Sequence, residues 1–432
     1  MAMTISTSIA FEKETAIKQF QEQRLQELLQ YLHTHSRFYQ KWFYAQGVRV
    51  EEIKTLDDLQ KIPPIEKEHL QSENEHFFCV PASQIVEYVA TSGTLGKPVT
   101  IALTDNDLQR LATNEYNSFV CANGTVSDIY QLMLTLDRQF MAGMAYYTGL
   151  RKLGAGIVRV GPGVPSLQWE TIERIKPTAI VAVPSFIVKL IQYAQEQGID
   201  INRSSVKKAI CIGENIRDED LSLNVLGKRI TDAWNIELYS TYASTEMQTA
   251  FTECHAGKGG HLQPDLLIVE LLDDNNQPVI PGTPGEVTIT TLGVEGTPLL
   301  RYKTGDICIA YTDTCSCGRH SLRLSPVLGR KKQMIKYKGT TLFAPALFEI
   351  LNGMENIKDY VAEVSANEIG TDEVLLHVVP VNTTAETANK IRAYLQARLR
   401  VSPQIKYLTP EEMQKLQFPD GGRKPIKFID KR

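Results

Sequence analysis

The stretch Thr91-Ser92-Gly93-Thr94-Leu95-Gly96-Lys97-Pro98 follows directly on the apolar run Ile85 to Ala90. Gly93 and Gly96 let the backbone turn so that successive N–H groups converge on an anion, the hydroxyls of Ser92 and Thr94 add donors, and Lys97 adds charge. The pattern reads as a phosphate cradle; the plainer alternative is a solvated Gly/Ser/Thr loop. It is not the P-loop of common nucleotidases, because only two residues separate the glycines and Pro98 stands where that loop has a hydroxyl residue. A second segment, Tyr239 to Glu246, ends a polar, aromatic run on one carboxylate. Glu246 offers the hard oxygen that a phosphate-bridging magnesium ion requires, or it simply closes a strand. In a third segment, Leu300 to Asp306, Asp306 follows a glycine, where it can accept from two ribose hydroxyls or cap the turn's own N–H groups.

Four further residues have the types of a metal site. Six residues lie between Cys254 and His261, and Cys315-Ser316-Cys317 follows later in the chain. Three thiolates and an imidazole make a closed, four-coordinate set, which points to structural zinc and leaves no open position for catalysis. His255 and His320 compete for the nitrogen position, and unpaired thiols are the alternative. The remaining cysteines, Cys79, Cys121, Cys211 and Cys308, stand alone in apolar surroundings and read as core thiols of a reducing, cytoplasmic compartment.

Positioning these groups falls to an α/β framework. Between residues 84 and 213 the short apolar runs Val86 to Ala90, Gln131 to Leu136, Gly156 to Val160, Ala179 to Val183 and Ala209 to Ile212 alternate with helical stretches. That order predicts a largely parallel sheet, with ligands beyond its strand C-termini. Upstream, Leu25, Leu28, Leu29 and Leu32 form an amphipathic stripe in a packing helix within 12–46. Residues 266–311 change to strands joined by turns, a β-rich subdomain, and 331–432 read as a small α+β domain. The 432 residues carry 46 Lys and Arg against 50 Asp and Glu and are 43% hydrophobic, so a core is affordable and a disordered chain is excluded. A near-neutral balance without basic blocks argues against nucleic acid, and no apolar run is long enough to span a membrane. The start of the chain lacks the pattern of an export signal.

The three chemical segments, in this order, resemble the adenylate-forming superfamily of acyl-CoA synthetases, and within it phenylacetate-CoA ligases. The likeness extends from Arg24-Leu25 through His35-Ser36-Arg37-Phe38-Tyr39 and Asp58-Leu59-Gln60-Lys61-Ile62-Pro63 to the chain's end. It implies two domains, 1–328 binding ATP and the acid and 329–432 a mobile lid. Residue by residue, it places Ser92, Gly93, Thr94, Gly96 and Lys97 over the ATP phosphates, Gly213 and Glu214 beside the adenine with Tyr242 and Ala243, Thr245 at the α-phosphate and Glu246 on magnesium. Asp306 and Arg330 would hold the ribose, and Lys332 would be the hinge, where many relatives carry an aspartate. At the end, Gly421-Gly422-Arg423-Lys424-Pro425-Ile426-Lys427 makes Lys424 the candidate catalytic lysine and Lys427 the fallback. Phe140, Met141, Met144 and Tyr147 fall at the register of the acyl pocket, although an apolar stripe is more often core. Cys-x-Cys-Gly-Arg before the hinge also occurs in ligases of this type, in support of the zinc site.

The resemblance implies an ATP- and magnesium-dependent acid–CoA ligase. It would form an acyl-adenylate from an aryl or phenylacetate-like carboxylate and pass the acyl group to coenzyme A, with a homodimer as the expected assembly. Two other readings follow from the same residues: an adenylating enzyme that loads a carrier protein or another acceptor, and a catalytically idle nucleotide-binding regulatory protein.

Overall fold

A computed structural model describes residues 9–91, 98–331, 334–337, 340–366, 372–399, 403–419 and 425–432. It divides the chain into two compact units, the first built mainly from residues 1–304 and 308–327, the second from 328–432 together with 224–226 and 305–307.

The N-terminal stripe folds as two helices rather than one, α1 (Glu14–His35) and α2 (Arg37–Gln46). Ser36 is extended between them, and its hydroxyl accepts from the Tyr39 N–H, capping α2. Leu25, Leu28, Leu29 and Leu32 are all buried, each contributing about 1.5–3 kcal/mol relative to exposure. A short helix α3 (Lys67–Ser72) follows.

The run at 86–90 does not join the parallel sheet. Strand β1 (Glu87–Ala90) pairs antiparallel with β2 (Thr100–Leu103) in a sheet of two. The connection is too short for the crossover that a parallel partner needs. Helix α4 (Asp105–Cys121) then begins in a capping box of Thr104 and Asp107.

The other runs do form a parallel sheet: β3 (Ile129–Leu132), β4 (Gly156–Arg159), β5 (Ala179–Ala182), β6 (Lys208–Ile212) and β7 (Glu237–Ser244) lie in the order 4-3-5-6-7. Between them run α5 (Met141–Leu153), α6 (Pro165–Ile175), α7 (Pro184–Glu196) and α8 (Val225–Ala233). Alternation sorts the strand residues by face. Ile180, Ala182, Ala209 and Cys211 pack with Trp169, Leu190 and Trp234 on the α6, α7 and α8 side; Ala179, Val181, Ile210 and Ile212 pack with Phe119, Tyr146 and Leu150 of α4 and α5. Both faces are therefore covered, which is why these strands read as continuous apolar runs.

Beyond β7 the sheet turns antiparallel through β8 (Thr249–Thr252), β9 (Gly260–His261), β10 (Leu267–Leu272), β11 (Pro284–Thr291), β12 (Tyr302–Tyr311) and β13 (Arg323–Leu324). This is the β-rich part expected at 266–311. Its turn at 273–276 is held by the Asp273 carboxylate, which accepts from the N–H groups of Asn275 and Gln277.

In the second unit β14 (Gly329–Arg330) pairs antiparallel with residues 306–307. A hairpin of β15 (Met334–Tyr337) and β16 (Thr340–Phe343) leads to α9 (Ala344–Asn352). A four-stranded sheet follows, made of β17 (Ile357–Ala366), β18 (Asp372–Pro380), β19 (Gln404–Tyr407) and β20 (Phe428–Asp430) in the order 19-18-17-20. Ala362, Val364, Leu376 and Val378 pack on α9 and α10 (Ala385–Leu399), while Val361 and Val379 pack on Met413 of α11 (Pro410–Gln417). The α+β character expected of 331–432 is present.

Candidate functional site

Adjacent parallel strands β3, β5, β6 and β7 end along one edge of the sheet, so the segments that leave them are brought together there. After β3 come Phe140 and α5, after β5 Val183 and α7, after β6 Gly213 and Glu214, and after β7 Thr245 and Glu246.

Gly213 has φ 75°, a left-handed conformation that glycine adopts without strain, and it turns the chain sharply out of β6. The next residue is anchored: the Glu214 carboxylate accepts from the Ser185 N–H at 2.8 Å and the Ser185 hydroxyl at 2.9 Å. It thereby caps the start of α7, and it is α7's charge-bearing N-terminal partner. Asn215 donates from Nδ2 to the Val327 carbonyl at 2.8 Å. Tyr242 stacks on Phe251 with ring centroids 5.7 Å apart, and Ala243 is exposed.

Glu246 is 8% exposed. Lys67 Nζ lies 3.4 Å from its Oε1, and the Tyr302 hydroxyl approaches the same oxygen at 3.5 Å. A single carboxylate fits magnesium, which commonly takes one or two carboxylates and completes its shell with phosphates and water. Thr245, beside it, is half-buried.

At the acyl-pocket register Met141 is buried in the main core, while Phe140, Met144 and Tyr147 are half-buried. The Arg159 guanidinium lies over the Tyr147 ring at 5.4 Å. Deeper, between α4 and α5, Glu115 is buried with Asn114 Nδ2 donating to its Oε1 at 2.9 Å. Burial pushes this carboxyl up to about 8.

Asp306 and Arg330 face each other across the β12–β14 pair, joined by Arg330 Nε and Asp306 Oδ1 at 3.0 Å. Lys427 is engaged by Asp359 and lies over the Tyr360 ring at 4.4 Å. Ser92, Gly93, Thr94, Gly96, Lys97, Lys332 and Lys424 lie outside the described residues.

The cysteine and histidine set converges. One ligand atom from each of Cys254, His261, Cys315 and Cys317 lies within 4.8 Å of all the others. Cys254 Sγ and Cys315 Sγ are 3.6 Å apart, and Cys317 Sγ is 3.5 Å from His261 Nε2. Tetrahedral zinc with ordinary Zn–S and Zn–N bonds would place such pairs about 3.8 and about 3.6 Å apart, so the residues fit the ion. Burial, helped by the charges of Arg319 and Arg323, brings His261 down to about 3 and keeps its imidazole neutral, the ligating form. Burial works to raise the Cys317 thiol, but hydrogen bonds from Arg319 outweigh it and lower the group. His255 is exposed and His320 meets Thr314, so neither displaces His261. None of the seven cysteines is in a disulfide. Cys79, Cys121, Cys211 and Cys308 are buried as core thiols, but Cys121 is not solitary: it packs against Cys254 and Cys315.

Lys67, Ser185 and Tyr302 escaped the sequence reading. Lys67 and Ser185 reach their carboxylates across large sequence separations, and no local pattern marks such pairs.

A covered parallel sheet with a carboxylate and a glycine turn at its strand ends offers a ligand site along that edge. The chain belongs to the AMP-binding enzyme family, whose model matches residues 32–295. Phenylacetate-coenzyme A ligase of Thermus thermophilus is 27% identical over 374 residues, covering 84% of this chain and 81% of that protein. The Escherichia coli protein of the same name is 27% identical over 351 residues, covering 80% and 78%. Among solved structures, 2-hydroxyisobutyryl-CoA ligase in its postadenylation state shares the fold with a TM-score of 0.80 at 22% identity, over 97% of this chain and 90% of that one. No helix among the described residues is long and apolar enough to cross a membrane.

Proposed function

We propose that the protein is an ATP-dependent acid–CoA ligase for an aryl or phenylacetate-like carboxylate. The observation that carries this reading is the gathering of the Glu214 loop, Thr245, Glu246 and the α5 segment at one edge of the parallel sheet, in a chain alike to phenylacetate-CoA ligases over most of both lengths. In the first half-reaction a carboxylate oxygen attacks the α-phosphorus of ATP and pyrophosphate leaves, giving an acyl-adenylate. In the second, the thiol of coenzyme A attacks the acyl carbon and AMP leaves.

The chain's own groups divide the work. Ser92, Gly93, Thr94, Gly96 and Lys97 cradle the β- and γ-phosphates, Thr245 and Lys97 meet the charge that develops at the α-phosphate, and Gly213, Glu214, Tyr242 and Ala243 frame the adenine. Asp306 and Arg330 hold the ribose. Lys424 bridges the attacking carboxylate and the α-phosphate, a task for a flexible ammonium. The engagement of Lys427 by Asp359 and Tyr360 supports Lys424 over Lys427. Glu246 holds magnesium, which when bound neutralises phosphate charge and assists pyrophosphate departure. Phe140, Met144 and Tyr147 border the acid, and Met141 backs them from the core. Residues 329–432 act as the lid, with Lys332 its hinge.

Zinc held by Cys254, His261, Cys315 and Cys317 cross-links the loop after β8 to the loop before β13 and has a structural role. Free thiols fit a cytoplasmic compartment; a homodimer completes the reading.

Acid-dependent exchange of labelled pyrophosphate into ATP, run over a panel of carboxylic acids and paired with a CoA-thioester assay, tests the reading. Exchange with an aryl acid followed by thioester formation is expected. No exchange with any acid would leave only a nucleotide binder, and exchange without a CoA product would shift the acceptor to another nucleophile.

A further inference from the structure

Lys67 begins α3 at a place fixed by β12. The Ile65 N–H donates to the Arg301 carbonyl at 2.9 Å, the Lys303 N–H donates to the Ile65 carbonyl at 2.8 Å, and Ile65 is wholly buried opposite Tyr302. This pins the backbone two residues before Lys67, whose ammonium reaches Glu246 Oε1 at 3.4 Å. Glu246 is buried, and a carboxylate taken out of water needs a hydrogen-bonding partner.

Two lysines in this neighbourhood differ in kind. Lys303 has a 5% exposed side chain and is held by Glu286 at 2.9 Å and by Asn276 Oδ1 at 2.9 Å, which is a fixed structural pair. The Lys67 side chain is 30% exposed, and its pair with Glu246 is longer. Its ammonium has solvent to move into, so it can leave its carboxylate more readily than Lys303 can leave Glu286.

We propose that Lys67 is the exchangeable counter-ion of Glu246: it neutralises and aims the carboxylate in the metal-free protein and competes with magnesium for it. This rests on the reading of Glu246 as the magnesium ligand. Lys67 is thus a positioning residue that sets the magnesium concentration at which the nucleotide site becomes loaded, and it keeps the carboxylate in place between turnovers.

The test is binding of the non-reacting analogue α,β-methylene-ATP, measured by calorimetry across a magnesium series, so that turnover plays no part. In the parent, magnesium tightens analogue binding. Glu246→Gln is expected to lose that tightening. Lys67→Met is expected to keep it and to reach half-effect at about fivefold lower magnesium, the worth of a partly exposed pair. Lys67→Gln serves as the second neutral variant should the methionine protein fail to fold, and Lys67→Arg, which keeps the cation, is expected to stay near the parent midpoint. If Glu246→Gln responds to magnesium as the parent does, the metal reading fails and the proposal with it. If Glu246→Gln loses the response while the neutral Lys67 variants keep the parent midpoint, or Lys67→Arg shifts as they do, the counter-ion role is overturned and the metal reading stands.

Discussion

Arg330 donates through Nε to Asp306 Oδ1 at 3.0 Å, and the two residues stand directly opposite each other in an antiparallel strand pair. Asp306 is buried, whereas the Arg330 side chain is half exposed. The pair is therefore one unit with the aspartate as its fixed member. Either Asp306→Ala or Arg330→Ala should raise the KM for ATP about tenfold or more, the worth of hydrogen bonds to a charged group. Because the two side chains touch, the double variant should lose less than the two single losses combined. A double-mutant cycle in steady-state kinetics measures this, and simple additivity would separate their roles.

Glu214 is tied to Ser185 at the start of α7 through two hydrogen bonds. Glu214→Ala removes a cap and should cost about 1 kcal/mol of stability, readable by denaturant unfolding. It also frees the Gly213 turn beside the proposed adenine position, so the KM for ATP should rise while the KM for the acid changes little. Ser185→Ala should reproduce the effect in weaker form, since the Ser185 N–H remains as a donor.

Metal analysis of protein purified without chelator should give one zinc per chain. Cys315→Ser should abolish it and lower the unfolding temperature by roughly 5–10 °C, because binding energy at a structural site is folding energy. Cys121→Ser, beside the cluster but outside the ligand set, should retain the metal. Stoichiometric zinc in Cys315→Ser would refute the four-ligand assignment.

Lys424→Ala should suppress acid-dependent pyrophosphate exchange about a hundredfold or more while leaving thioester formation from preformed acyl-adenylate nearly intact. Lys427→Ala removes a side chain held by Asp359 and Tyr360, so it should act on the stability of the second unit. Equal loss of both half-reactions in Lys424→Ala would sink the assignment.

Glu115 sits between α4 and α5 with its carboxyl raised to about 8 by burial, partly opposed by Asn114. The folded protein therefore holds a proton that the unfolded chain has released above about pH 4.3. Folding is favoured by this group at low pH, and the contribution is lost as pH rises from there toward 8, by up to about 1.4 kcal/mol per pH unit. Unfolding temperatures taken from pH 5 to 8 should fall more steeply in the parent than in Glu115→Gln. Parallel curves would show that Glu115 is not protonated in the fold.

Much of this architecture is legible along the chain. The apolar runs ending near Ala182 and Ile212 announced buried parallel strands because both faces of that sheet are covered. Residue type alone singled out Cys254, His261, Cys315 and Cys317 as a set, and the fold brings these four side chains together. Elsewhere local reading fell short. The stripe through Leu32 gave no sign of the break at Ser36, and the run at 86–90 carried the same apolar pattern as its neighbours while pairing outside their sheet.

What the sequence by itself determined is the inventory: the order of the glycine-rich segment, the Glu246 segment and the Asp306 segment, the three cysteines and one histidine of the candidate metal set, and the alternation that builds the frame. Those are properties of residue identity and of spacing within one or two elements. Only the tertiary structure decided which side chains meet, with Lys67 on Glu246, Ser185 on Glu214, Lys427 on Asp359 and Cys121 against Cys254 and Cys315. Such pairings join segments tens to hundreds of residues apart, and their geometry is set by how helices and strands pack around the shared core.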